Sequence, residues 1–339
     1  MKLDVGLGTE GNYLKTVDET ARAAEELGFA GLWSNETKHD AFLPLAIAAN
    51  GTRKIELGPS VAIAFSRSPM EMAQTAWDLQ NISDGRFILG LGTQVKAHIT
   101  RRFSMPWDKP AARLREYILA LRAIWESFQS EGPLNFEGEF YRHTLITPFF
   151  NPGPIEHPEI PIYIAGVNTR LAKLAGEVCE GFHVHPFHSP EYIKKTVNPA
   201  IAEGAAEANR SPDDVTLATS VFVITGESEE EIRGQRESVR SQLSFYASTP
   251  TYRTVLEAHG WEEVGEKLGT LAREKKWREM PDLITDEMLT AFAIEAAPDE
   301  VGPALKERYE RLIDRVALYV PFVPGERDEF WRAIVGPGF

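Results

Sequence analysis

Short, mostly apolar runs alternate with longer amphipathic segments along this chain. The run at residues 87–91 is unbroken, which is typical of a strand that is buried on both faces. The pattern predicts eight strands, at residues 3–7, 29–33, 55–63, 87–91, 160–165, 181–185, 215–225 and 316–320. Strands that alternate with amphipathic helices in this way form a parallel sheet with helical crossovers.

Helix boundaries are marked by capping residues. Thr16-Val-Asp-Glu19 and Ser228-Glu-Glu-Glu231 match the capping box, which predicts helices that start directly after Thr16 and Ser228. Gly28 is placed to end the first of them, and Ser68-Pro69 predicts a further helix start. The segment 110–128 is strongly amphipathic, so it is predicted to be a long surface helix.

Eight strands alternating with helices indicate an α/β fold, a (β/α)8 TIM barrel with insertions, over residues 1–339 as a single domain. Two excursions interrupt the alternation. Residues 130–159 are rich in proline, glycine and aromatic residues and predict a small hairpin around Phe136-Glu-Gly-Glu-Phe140, while residues 247–300 are predicted to be mainly helical. We expect these excursions to shape a substrate pocket.

Composition narrows the functional classes. The chain has 36 Lys and Arg against 50 Asp and Glu, a net charge of -14, which argues against nucleic acid or an anionic membrane as a partner. Its one cysteine, Cys179, excludes a disulfide framework and a thiolate metal site. We find no leader pattern and no apolar run of membrane-spanning length. The expectation is a cytoplasmic protein that acts on a small molecule.

Polar residues gather where the predicted strands end, which is where barrels carry their chemistry. Glu36 and His39 follow strand two, and His98 follows strand four. Each histidine suits proton transfer, but a surface loop histidine has the same pattern. Glu36 has an equally simple alternative, an ion pair with Lys38 or Arg67.

Three further patterns near strand ends have competing interpretations. Gly6-Leu-Gly-Thr-Glu-Gly11 matches the dinucleotide fingerprint, but the helix is predicted to begin beyond Gly11, so we interpret the match as coincidental. Gly166-Val-Asn168 before a helix suits a phosphate cradle or an ordinary βα turn. His183 and His185 share a strand face, but no third ligand accompanies them, and no metal site is predicted.

Longer blocks carry a resemblance to a known family. These are Ala24-Glu-Glu-Leu-Gly-Phe-Ala-Gly-Leu-Trp33, Leu57-Gly-Pro-Ser-Val61, Ser83-Asp-Gly-Arg-Phe-Ile-Leu-Gly-Leu-Gly-Thr93 and Pro161-Ile-Tyr-Ile-Ala-Gly166, and together the chain resembles the bacterial luciferase-like superfamily of flavin and deazaflavin enzymes. A second set resembles its F420-dependent oxidoreductases: Glu36-Thr-Lys-His-Asp40, Gly92-Thr-Gln-Val-Lys-Ala-His98, Arg102-Phe-Ser-Met-Pro-Trp107 and Ile284-Thr-Asp-Glu287.

The resemblance implies a deazaflavin, coenzyme F420, at the strand exits of a homodimeric enzyme. Ser60 and Val61 match the non-prolyl cis peptide that lies behind the ring in relatives. Thr93 and Gln94 match contacts to the ring edge, and Gly166, Val167 and Asn168 match the loop for the phosphate-bearing tail. The implied activity is hydride transfer between F420 and an unidentified organic substrate.

The chain departs from several deazaflavin dehydrogenases after strand two. Those enzymes carry Asp-His where this chain has Glu36-Thr37, so the histidine of that motif is missing. Our hypotheses for the proton-transfer residue are therefore His98, Glu36 and His39. Two functional alternatives remain: a monooxygenase that uses reduced FMN, and a non-catalytic protein that binds flavin or deazaflavin.

Overall fold

In the computed structural model, residues 1–8 and 13–336 are described, and they form a parallel sheet enclosed by helices together with a separate hairpin. Gly11 and Asn12 of the fingerprint segment and first loop lie outside the described residues. The strands are β1 (Lys2–Leu7), β2 (Gly31–Ser34), β3 (Glu56–Pro59), β4 (Ala62–Ile63), β5 (Leu89–Gly92), β6 (Phe136–Glu137), β7 (Arg142–His143), β8 (Ile162–Gly166), β9 (Gly181–Val184), β10 (Thr216–Ile224), β11 (Ala293–Glu295) and β12 (Arg315–Phe322).

Helices connect these strands along the chain. They are α1 (Val17–Leu27), α2 (Phe42–Gly51), α3 (Pro69–Ile82), α4 (Lys96–Arg101), α5 (Pro110–Ser130), α6 (Thr169–Val178), α7 (Pro190–Tyr192), α8 (Asn198–Glu207), α9 (Glu229–Ala247), α10 (Arg253–Glu257), α11 (Glu262–Arg273), α12 (Asp286–Phe292), α13 (Val301–Tyr309) and α14 (Asp328–Val335). A π-helical turn, Ile193–Val197, joins α7 to α8. None of the described helices is long and apolar enough to cross a membrane.

The large sheet closes into a barrel. Its strand order is β3-β2-β1-β12-β10-β9-β8-β5-β4, and β3 and β4 are consecutive parts of one wall strand. Closure beside β3 comes from two hydrogen bonds: the Leu57 N–H donates to the Arg86 carbonyl at 3.0 Å, and the Ile88 N–H donates to the Leu57 carbonyl at 2.8 Å. The predicted (β/α)8 barrel is therefore confirmed, with all eight predicted strands in its wall.

The half of the barrel interior near the amino ends of the strands is filled by large and charged side chains. Arg315 donates two hydrogen bonds of 2.8 Å to the Asp4 carboxylate, which also accepts one of 2.9 Å from Trp33 Nε1. Trp33, Tyr163 and His183 form the layer above, with ring centroids of Trp33 and His183 5.0 Å apart. These residues fill the centre of the barrel, and a cavity of 370 Å³ bordered by Arg315 and Tyr163 opens at the amino ends of the strands.

Several local predictions are confirmed and some are corrected. The predicted hairpin exists as the antiparallel pair β6–β7, and Gly28 ends α1 with a φ of 97°. The Thr16 hydroxyl does not cap α1, since it donates to the Tyr13 carbonyl instead, although α1 still begins at Val17. The predicted strand 55–63 is interrupted at Ser60–Val61, whose peptide bond is cis. The pattern missed α4 and β11, the latter paired with the end of β10.

Candidate active site

The candidate site is the mouth, by which we mean the carboxyl ends of the wall strands and the loops that follow them. Small residues also face the barrel axis: Gly6 pairs in register with Trp33 and Ala165 with His183, and Ser220 lies two residues beyond Ala218, the partner of His183. A Cβ atom built on Gly6 would meet no atom within 4 Å. The side of Gly6 that faces the barrel axis is therefore open.

One wall of the mouth is the interrupted strand β3–β4. The Ser60 N–H donates to the Ser34 carbonyl at 2.7 Å, which ties the interruption to the end of β2. Gly92 packs directly on Val61, since a Cβ atom at Gly92 would lie 2.6 Å from Val61 Cγ2. Ser60 and Val61 are half-buried, so they form a surface that an incoming ligand can contact.

Glu36 is held in a network of hydrogen bonds and ion pairs. Its Oε2 accepts from the Ile63 N–H at 2.6 Å and from Arg67 Nη1 at 2.9 Å, and its Oε1 lies 2.7 Å from Arg67 Nη2. Arg67 also donates to Asp40 at 2.7 Å. The carboxylate is 8% exposed. These contacts correspond to the ion-pair alternative with Arg67 and favour a positioning role for Glu36 over proton transfer.

The other sequence-predicted residues on this side lie at the rim. Thr93 is half-buried, and Gln94, with a φ of 58°, accepts a hydrogen bond from the Val95 N–H at 3.1 Å through its own Oε1. His98 is exposed on α4, and His39 is exposed with its ring 4.9 Å from that of Tyr13. Among the described residues, neither imidazole has a hydrogen-bond partner, so each is free to meet a ligand.

The loop between β8 and α6 has the donors of an anion site. Asn168 caps α6 by accepting a hydrogen bond from the Leu171 N–H at 3.1 Å. The backbone N–H groups of Thr169 and Arg170 stay available, because the first turn of a helix lacks intrahelical acceptors. The Val167 carbonyl is fixed by the Tyr192 hydroxyl and by the Thr254 hydroxyl at 3.5 Å. Gly166 is required here, since a Cβ atom would lie 2.6 Å from Leu171 Cβ.

The opposite wall of the mouth carries a group that sequence reasoning did not assemble. His185 follows β9, and its ring lies 4.8 Å from that of Tyr246 on α9 and 4.7 Å from that of Tyr252. The Tyr246 hydroxyl is 2.8 Å from the Tyr319 hydroxyl on β12. The sequence analysis placed His183 and His185 on one face of their strand, and no local signal predicted that Tyr319, Tyr246 and Tyr252 join His185.

A cavity and a cluster of exposed polar side chains lie outside the mouth. A cavity of 790 Å³ lies outside the barrel and is bordered by the Arg236–Glu295 ion pair. Three exposed side chains, Asp84, Glu156 and His157, have ligand atoms within 4.8 Å of one another, at the turn that precedes β5. Since that turn is at the amino ends of the strands, the cluster is remote from the mouth.

The family model for luciferase-like monooxygenases matches residues 1–315. The chain belongs to the luciferase-like monooxygenase family. An uncharacterized protein of Mycobacterium tuberculosis is 44% identical over 316 residues, covering 93% of this chain and 92% of the relative. The 5,10-methylenetetrahydromethanopterin reductase of Archaeoglobus fulgidus is 28% identical over 316 residues, covering 90% of each chain.

A solved structure confirms the luciferase-like fold. The coenzyme F420-dependent tetrahydromethanopterin reductase from Methanopyrus kandleri superposes with a TM-score of 0.75 and 23% identity, covering 98% of this chain and 96% of that chain. The luciferase-like family contains oxidoreductases and monooxygenases, and its members include F420-dependent and flavin-dependent proteins. The roles of individual residues at the mouth stay predictions.

Proposed function

We propose that this luciferase-like protein is an F420-dependent oxidoreductase that transfers a hydride between the deazaflavin and an organic substrate. The observation that carries the proposal is the combination of an open centre at Gly6 with an anion-binding loop at Asn168. A cofactor with a planar ring and an anionic tail fits both features at once. A relative from Mycobacterium tuberculosis, named as a coenzyme F420-dependent oxidoreductase, is 30% identical over 317 residues, 89% of this chain, which supports the same cofactor class.

Different residues of the mouth bind different parts of such a cofactor. Ser60 and Val61 form the surface behind the ring, and Thr93 and Gln94 contact its polar edge. The loop of Gly166, Val167 and Asn168 holds the phosphate, aided by the positive charge of the exposed Arg170 beside it. When bound, the deazaflavin supplies the hydride chemistry, and the protein orients one ring face towards the substrate.

Glu36 acts in this proposal by keeping the wall behind the ring in place. Its bonds to the Ile63 N–H and to Arg67 connect the end of β2 to β4. His39 and His98 lie on the same side of the mouth and are candidates for proton transfer at the rim.

The decisive test is fluorescence titration of the purified protein with F420 and, separately, with FMN. Tight binding of F420 and weak binding of FMN are the expected result. The reverse preference, with oxygen consumption in the presence of reduced FMN, would replace the proposal with a flavin monooxygenase. F420 binding without turnover of any hydride donor or acceptor would identify a non-catalytic carrier.

A further inference from the structure

A cluster of aromatic hydroxyls occupies the wall of the mouth that the proposed cofactor contacts do not use. We call His185, Tyr246, Tyr252 and Tyr319 the tyrosine cluster. Its members come from the ends of β9 and β12, from α9, and from the turn before α10. In the barrel order, β9 and β12 lie beyond β8 from the wall formed by β4 and β5. The tyrosine cluster therefore borders the space on the substrate side of a ring stacked on Val61.

The tautomer of His185 is determined by its hydrogen bonds. The Phe187 backbone N–H donates to Nδ1 at 3.0 Å, so Nδ1 must hold a lone pair. Burial lowers the pKa of His185 to about 3, which keeps the imidazole neutral near pH 7. Its one proton is then on Nε2, which lies 3.3 Å from the Tyr252 hydroxyl oxygen. His185 is consequently a hydrogen-bond donor to Tyr252.

This arrangement leaves two hydroxyl protons free at the mouth. The Tyr252 oxygen accepts from His185, and among the described residues its own proton has no acceptor. Tyr246 and Tyr319 share one hydrogen bond of 2.8 Å, so one of their two protons is also free. Burial raises the pKa of Tyr252 to about 12, so the hydroxyl keeps its proton at neutral pH. The rings of Tyr246 and Tyr252 lie 5.9 Å apart, and two neighbouring O–H donors can stabilise a developing oxyanion.

The pKa values of His185, Tyr246 and Tyr252 are shifted by burial, by His188 and by the tyrosines themselves. No ionic side chain is among the causes of these shifts. The rings of Phe187 and Phe222 pack against the cluster, with centroids 6.2 Å and 6.5 Å from that of Tyr246. A charged substrate group would lose its hydration beside these aromatic rings, so the surface favours an uncharged one.

We propose that the tyrosine cluster binds the oxygen of an uncharged carbonyl substrate, with Tyr252 as its proton donor and His185 as the residue that positions Tyr252. This inference rests on the proposed function, because the bound deazaflavin supplies the hydride and its electron pair to the carbonyl carbon. As the carbonyl π bond breaks, its electron pair moves to oxygen. The Tyr252 O–H bond then breaks and its proton joins that oxygen. The product is an alcohol, and Tyr252 regains a proton from water at the exposed edge beside Tyr319.

The first test measures carbonyl binding without turnover. Cyclohexanone labelled with ¹³C at the carbonyl is added to the purified protein, and its ¹³C resonance is followed. Hydrogen bonding should move this resonance downfield in the wild-type protein, and Tyr252→Phe should remove most of the shift. A matched control is Tyr309→Phe, because Tyr309 is bonded to His188 at 3.0 Å outside the barrel and should leave the shift unchanged. No shift with the wild type, or an equal shift with Tyr252→Phe, overturns the inference.

The second test measures turnover with reduced F420. Cyclohexanone, cyclohex-2-enone and benzaldehyde are compared with a phosphorylated aldose, which should not react. Tyr252→Phe should lower kcat by about 100-fold, as expected for loss of a general acid, with the Kd of F420 unchanged. An unchanged kcat, or reaction of the phosphorylated aldose alone, contradicts the assignment. If F420 fails to bind, the proposed function fails, whereas the carbonyl resonance still decides the cluster's role.

A third experiment tests whether His185 positions Tyr252. His185→Leu removes the N–H that donates to Tyr252, and His185→Gln replaces it with an amide N–H. We expect kcat to fall by about 10-fold in the leucine variant and to recover most of that loss in the glutamine variant. KM and the Kd of F420 should be equal in the two variants. Equal kcat losses in the two variants would assign His185 a structural role only.

Discussion

The guanidinium of Arg67 pairs with the carboxylate of Glu36 through two nitrogens: Nη2 lies 2.7 Å from Oε1, and Nη1 lies 2.9 Å from Oε2. The same carboxylate accepts the Ile63 N–H, so the pair joins the end of β2 to β4 behind the proposed ring. Paired guanidinium and carboxylate groups of this geometry fix position as well as charge. Glu36, a candidate proton donor in the sequence analysis, is therefore better suited to fix the position of the wall formed by β3 and β4.

Glu36→Gln should destabilise the protein and weaken cofactor binding. The amide cannot neutralise Arg67, which among the described residues then keeps Asp40 as its one anionic partner. Breaking a mostly buried pair in this way costs about 2 kcal/mol when one partner remains. Urea unfolding measures the loss, and Asp40→Asn is the control, since its more exposed carboxylate should cost less than about 1 kcal/mol. Equal losses in the two variants would contradict the role assigned to Glu36.

The open centre of the mouth predicts a difference between two glycine variants. Gly6→Ala adds a methyl group where nothing lies within 4 Å, so the free energy of unfolding should be unchanged or slightly raised. The same methyl group should obstruct the ring and raise the Kd of F420. Gly90→Ala would place Cβ 1.9 Å from the Pro59 carbonyl oxygen, so it should unfold or severely destabilise the barrel. An unchanged Kd of F420 in Gly6→Ala would mean that the ring does not bind at the barrel axis.

The rim histidines provide a test between two sources of the proton. If Tyr252 donates it, His39→Gln and His98→Gln should each keep kcat within about 3-fold of the wild type, since a lost general acid costs about 100-fold or more. The substrate is a carbonyl compound that the wild-type protein reduces with F420. A loss of about 100-fold in either variant would return proton transfer to that histidine.

The fold was predictable because short apolar runs and helical patterns persist wherever packing decides the side chain. Each wall strand has an apolar face against the helices, as Leu57 and Leu89 illustrate, and that face is visible in sequence. The interruption at Ser60–Val61 was implied by the family resemblance and not by hydrophobicity. β11 escaped prediction because a pairing of three residues has no period long enough to detect.

The site was predictable only where its residues follow strands directly. Glu36, Thr93 and Asn168 have fixed places in the chain relative to β2, β5 and β8, so the barrel topology brings them to one end. Tyr252 lies in an excursion whose path depends on tertiary contacts, such as the bond from Thr254 to the Val167 carbonyl. No local pattern records such a contact, and the tyrosine cluster emerged only from the folded chain.

The anion loop predicts the effect of one added charge. Asp caps a helix as well as Asn does, so Asn168→Asp should keep the cap of α6 and the stability of the protein. Its carboxylate would repel the cofactor phosphate, and we expect the Kd of F420 to rise by about 10-fold. Ser211→Asp is the matched control, since Ser211 caps the turn before β10 at the amino ends of the strands. An equal Kd for the two variants would place the anionic tail elsewhere.

Three buried histidines predict how the stability of the protein depends on pH. Burial lowers the pKa from 6.5 to about 3 at His183, to about 3 at His185 and to about 4 at His188. Below pH 6.5 the unfolded chain therefore binds protons that the folded protein does not. Stability from this source is complete above that pH and is lost as the pH falls towards about 4.

The size of this effect can be measured by urea unfolding at two pH values. Each histidine contributes about 1.4 kcal/mol per pH unit, but only below its unperturbed pKa of 6.5. Between about pH 7.5 and pH 5.5 this slope acts over about one unit, so the three together should lower the free energy of unfolding by about 4 kcal/mol. His183→Phe keeps the ring contacts with Trp33 and Tyr163 and removes an Nε2 that has no hydrogen-bond partner in the part of the chain that the structure describes. It should reduce the loss by about one third, whereas His98→Gln, at an exposed position, should leave the loss unchanged. A loss that is the same in His183→Phe as in the wild type would mean that His183 is protonated equally in the folded and unfolded states.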